Sequence, residues 1–129
     1  MTLQFIDIAN GKWGILVYHG ASAKDAMEVR NALEGLHCPK EEIGDAVTIL
    51  RGYDKGFSYT YPTAKMSMIL ITQASSKGEY INTAVHECKH VLSKIFNYYE
   101  MDEDSETASY LLGNLVMEIS NWATATNNL

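Results

Sequence analysis

The stretch "INTAVHECKHVLSKIF", residues 81–96, decides how this chain is read. Its apolar residues recur at helical spacing. At 100° per residue, Ile81, Ala84, Val85, Cys88, Val91, Leu92, Ile95 and Phe96 share one broad face, and Tyr99 continues it. Thr83, His86, His90, Ser93 and Asn97 fall opposite. The pattern predicts a helix from about Glu79 to Tyr99 with that broad face on the core. It also stacks His86 and His90 one turn apart on a polar stripe, with Glu87 about a quarter turn away.

Two imidazoles at i and i+4 can hold one ion from one side. In a catalytic zinc site they supply two corners of a tetrahedron, a third protein ligand supplies another, and water takes the open position. The metal lowers the pKa of that water to about 7, and a neighbouring carboxylate, here Glu87, accepts its proton. The competing reading is a solvated helix face with no metal. The position of both histidines opposite the core stripe favours Zn2+ as the cofactor.

Working outward, the apolar strand pattern of Met66 to Thr72 precedes this helix, and Phe57 to Tyr61 precedes that, with Pro62 between them. Met66, Met68 and Leu70 alternate with Ser67, Ile69 and Ile71, as expected for a strand covered on both sides or lining a cleft. Further upstream, Pro39 opens a helix with Ile43, Ala46, Val47 and Leu50 as its buried stripe, ended by Gly52. Ser22 caps a helix to about His37, with Ala26, Met27, Arg30, Leu33 and Leu36 at helical spacing. Leu3 to Ala9 and Lys12 to Tyr18 are β-rich and flank Asn10-Gly11, a favoured hairpin turn. Downstream, the acidic link Glu100-Met101-Asp102 leads to a last helix, about Glu103 to Ala123, capped by Asp102 or Asp104. The order is ββααββαα: an α+β fold with an antiparallel or mixed sheet of about four strands on four helices. HExxH stands on the third helix.

The chain is 129 residues with 47% apolar content, enough for one domain with a core of its own. Its formal net charge of -6 and lack of a basic stripe argue against nucleic acid or anionic membrane as partners. No apolar run is long enough to span a bilayer, and no signal-peptide pattern opens the chain, so a cytoplasmic location is expected. Two cysteines, Cys38 and Cys88, make no disulfide framework. Cys88 faces the core as a small hydrophobe. His19 and His37 are read as turn or helix-end residues.

No histidine follows His90, so a carboxylate from the final helix is the natural candidate for third ligand, with Glu100, Asp102, Glu103, Asp104, Glu106 and Glu118 competing. On the last helix Ala108, Leu111, Leu112, Leu115, Ile119 and Trp122 form the main apolar stripe. Glu106 heads a second stripe with Tyr110, Gly113 and Met117, which predicts a helix sandwiched on two faces. A carboxylate on a buried face is costly unless paired or metal-bound. Gly113 in mid-helix suggests close approach of another element. Glu106 is therefore the expected ligand and Glu103 the reserve.

With His86, Glu87, His90 and Glu106 assigned, the chain resembles a gluzincin. The segment from about Gly56 to Ile119 is similar to small HExxH proteins encoded in bacteriophage and prophage genomes. The stretches that carry this are "GFSYTYP", "MSMILITQASSKGEYINTAVHECKHV" and "SETASYLLGNLVMEI". The resemblance implies a minimal zinc peptidase domain over residues 1–129, with an edge strand above the zinc helix. Met66 to Thr72 would be that strand, and Met68, Ile69, Leu70 and Ile71 would bind an extended peptide substrate by β-addition. Tyr110 would donate a hydrogen bond to the oxyanion or to a zinc ligand, in a chain that lacks a downstream histidine for that task. The alternative is a zinc-binding structural or interaction module without turnover, such as a phage component or a host-directed effector.

Overall fold

Strands β1 (Thr2–Ile8) and β2 (Trp13–Ala21) form the antiparallel hairpin expected from Asn10-Gly11. Lys12 N–H donates to Ala9 O at 3.2 Å, and Asn10 and Gly11 take φ of 58° and 78°. This turn needs positive φ at both central residues, which Asn and Gly tolerate best. The computed structural model describes residues 1–129. Helices α1 (Ala26–Gly35) and α2 (Lys40–Ile49) come next, then strands β3 (Gly56–Tyr61) and β4 (Met66–Thr72), and last helices α3 (Lys77–Tyr98) and α4 (Glu106–Ala125). The fold is α+β, with the element order ββααββαα.

The four strands lie in one mixed sheet of order β1-β2-β4-β3. β4 runs parallel to β2 and antiparallel to β3. Helices cover both faces. Met68 and Leu70 of β4 pack with Val29 and Leu33 of α1 and Ile43 and Ala46 of α2. Ile69 and Ile71 pack on the other side with Val91 and Ile95 of α3 and Leu115 and Ile119 of α4. Successive side chains of a strand point to opposite faces, so one strand feeds two cores. This is why β4 reads as a nearly continuous apolar run.

The same topology overturns the assignment of β4 as the edge strand. It is interior, and Met68, Ile69, Leu70 and Ile71 are all buried. None of them can meet a substrate. The edge strand on that side of the sheet is β3.

Local starts and stops differ in detail. Ser22 precedes a short 3-10 turn, Ala23–Asp25, and α1 follows it. Val29 and Leu33 form the buried stripe of α1, while Met27 is 75% exposed. Ser105, not Asp102 or Asp104, caps α4, accepting from Ala108 N–H at 3.1 Å. Glu103 therefore lies on the α3–α4 linker rather than on the helix. No helix is long and apolar enough to cross a membrane.

Candidate metal centre

α3 begins where Ser76 accepts a hydrogen bond from Glu79 N–H at 3.1 Å, satisfying one of the free donors of the first turn. Its buried arc runs through Tyr80, Thr83, Ala84, Glu87, Cys88, Val91, Leu92, Ile95 and Phe96. That arc is rotated from the sequence expectation. Thr83 and Glu87 are inside it, and Ile81 is exposed. The cause is β3, which packs along this side of α3. Cys88 is wholly buried, and burial pushes its thiol up to about 12, as suits an inert core residue.

His86 and His90 stand in solvent on the exposed edge of α3. Their Nε2 atoms converge to 3.1 Å, and the rings meet edge to face at 81°. Two nitrogens about 2.0–2.1 Å from one tetrahedral zinc ion lie about 3.3 Å apart. The pair is thus spaced as two corners of such a site, and its donor chemistry fits zinc.

Glu87 lies beside the pair, with Oε2 at 3.9 Å from His86 Nε2. Only 5% of the residue is exposed. Burial raises the pKa of its carboxyl group, against the opposing effects of His86, Ser58 and His90. Gly56 of β3 makes room for it. A Cβ at Gly56 would lie 2.7 Å from Glu87 Cγ and from Thr83 Cγ2, and 2.9 Å from Glu87 Oε2. β3 can approach α3 this closely only because residue 56 has no side chain. A glycine at a strand start, in "GFSYTYP", was the readable signal for such an approach; Ser58 carried none.

A depression of about 340 Å³ opens along this seam, lined by residues 56–60 of β3 and by His86, Glu87, His90 and Lys94. A second, of about 280 Å³, continues past Gly56 toward Asp54, Asn82 and Thr83 and shares His86 and Glu87 with the first.

Two expected site residues are not brought here. Glu106 and Tyr110 lie on the face of α4 opposite Ala108, Leu115 and Ile119, and that face is solvent: Tyr110 is 67% and Met117 55% exposed. α4 is an outer helix packed on α3, not a sandwiched one. Gly113 has no atom within 4 Å of where its Cβ would be, so no element of the chain approaches it. No group of three His, Cys, Asp or Glu side chains is assembled in metal-holding geometry. The acid that does meet α3 is Glu103, whose Oε1 accepts from Ser93 Oγ at 2.6 Å, three residues past His90 and on the α4 side.

His19 was misread as a turn residue. It sits inside β2, fully buried, between Tyr80 and Gln4. Its Nε2 bonds Gln4 Oε1 at 2.8 Å, its Nδ1 bonds the Tyr80 hydroxyl, and Gln4 Nε2 donates onward to Glu118 O at 3.2 Å. Burial lowers its pKa to about 4.

Compared with protein-family models, curated proteins and solved structures, the chain matches none.

Proposed function

We propose that this chain is a zinc-dependent metallopeptidase whose ion is held by His86 and His90 and whose general base is Glu87. The observation that carries the reading is the convergence of two imidazole nitrogens to 3.1 Å beside a buried carboxylate, at the foot of an edge strand. Glu103, not Glu106, is the acid proposed as third ligand, because it accepts a hydrogen bond from Ser93, which is one turn along α3 from His90. The resemblance to gluzincins and to small phage and prophage HExxH proteins supports the same activity through His86, Glu87 and His90, but no longer through Glu106.

A bound zinc ion would supply Lewis acidity and lower the pKa of a water to about 7. The protein's own residues do the rest. β3 has one side free of strand pairing, and an extended peptide can add there by main-chain hydrogen bonds. Glu87 takes the proton of the attacking water and returns it to the leaving amine. A carboxyl group raised by burial is a stronger base for that task than an exposed one. Ser58 lines the same depression and lowers the carboxyl pKa in part, and the missing side chain of Gly56 leaves the room that the carboxylate occupies.

The test is cleavage of a broad peptide library by zinc-loaded protein, read by mass spectrometry. Glu87→Gln is nearly isosteric, so it should keep fold and zinc and lose on the order of 10²–10⁴ in rate. Cleavage that survives unchanged in Glu87→Gln would refute the mechanism. Zinc binding with no cleavage by the wild type would instead identify a non-catalytic zinc module.

A further inference from the structure

The two depressions beside α3 share His86, Glu87 and Gly56, so the reacting groups lie at the middle of one groove and not at its closed end. Such a groove takes the interior of a chain. Its two arms differ in charge. On the Gly56 side Asp54 and Lys55 are both present, and Asp54 is already bound by Ser75 through N–H at 2.8 Å and Oγ at 2.7 Å. On the His90 side the only charged groups are the buried Glu87 and Lys94. Lys94 has no ion pair: the sole approach of a basic to an acidic side chain within 4.0 Å is that of His86 to Glu87.

Lys94 follows Glu87 by seven residues on the same side of α3, about 10 Å along the helix axis. That distance is about three residues of extended peptide. From these placements we infer that Lys94 is a specificity-determining residue: the groove selects an interior segment of a polypeptide carrying an acidic side chain about three residues from the cleaved bond, always on the same side of it. The inference rests on the peptidase reading for the word "cleaved", but the recognition itself is a binding property and can be measured without turnover.

The probes are fluorescein-labelled ten-residue Gly/Ala peptides with a single Glu, Gln or Lys placed at each position in turn. Their binding to zinc-loaded Glu87→Gln protein is followed by anisotropy at low salt. One position should bind Glu about fivefold more tightly than Gln, the upper end for an exposed ion pair, and Lys more weakly still. The preference should shrink as salt rises and reverse in favour of Lys in the Lys94→Glu form of the same protein. Equal binding of Glu and Lys peptides, a preference untouched by Lys94→Glu, or no binding by any peptide would each overturn the inference. Cleavage of the Glu peptides by the wild type is scored separately. Cuts confined to the terminal residues would refute the endo-acting groove. Binding preference without cleavage would sink the peptidase reading and leave the role of Lys94 standing.

Discussion

His19 and the His86–His90 pair put the same side chain in opposite surroundings. His19 is buried with both ring nitrogens bonded to other core groups. His86 and His90 are exposed, and the two nitrogens that converge have only each other. The buried ring is therefore committed to the fold: its Nε2–H donates to Gln4, its Nδ1 accepts from Tyr80, and it ties β1, β2 and α3 together. The exposed pair ties no elements of the fold together and brings two ring nitrogens within 3.1 Å of each other. A histidine's role here follows from which partners the backbone supplies, and the two sites should respond oppositely to substitution.

The largest expected effect is on stability at the buried site. His19→Ala leaves the Tyr80 hydroxyl and the Gln4 amide without their partner and opens a cavity, a loss of about 3–5 kcal/mol. Chemical denaturation measures it directly. A loss below 1 kcal/mol would mean that the network contributes little.

Acid should produce the next effect. The unfolded state binds a proton at His19 near pH 6.5, and the folded state only near pH 4. Between those values the unfolded chain holds more protons, so the contribution of this residue is complete above about pH 6.5 and is lost as pH falls toward 4. The full span is about 3 kcal/mol. Comparing the pH dependence of wild type and His19→Gln isolates it; parallel curves would contradict a neutral buried imidazole.

Zinc affinity should separate the two acids. Glu103→Ala is expected to weaken binding at least tenfold, about 1.4 kcal/mol. Glu106→Ala, an exposed first-turn acid, should change it less than that and affect only α4, by about 0.3–1 kcal/mol. The reverse order would restore the reading that the sequence alone favoured.

The smallest effect sharpens the contrast with His19. In metal-free protein, His86→Ala should alter stability by no more than about 0.5 kcal/mol, because the side chain is exposed and pairs only locally. A large loss would show that the pair has a structural role.

Much of this was legible in advance because it depends on local chemistry. Period-3.6 spacing placed His86 and His90 together, Asn10-Gly11 specified the hairpin, and β4 announced its burial on both sides. Strand order was not legible, since β4 pairs with β2 from a distant part of the chain, and only that pairing makes β3 the edge. The rotation of α3 toward β3, which buries Glu87, is a tertiary effect of the same kind. Glu106 and Tyr110 were misplaced because an apolar stripe of Tyr110, Gly113 and Met117 looks the same in sequence whether another element covers it or not. The cap at Ser105 moved Glu103 off the helix, which helical bookkeeping from Asp102 could not register.

His86 and His90 are proposed to hold one zinc ion. Elemental analysis of protein purified without chelator and dialysed against metal-free buffer tests it most directly. About one zinc per chain is expected in the wild type and in His19→Gln, and none in a His86→Ala/His90→Ala double variant that remains folded by circular dichroism. A folded double variant that retains the wild-type zinc content would contradict it.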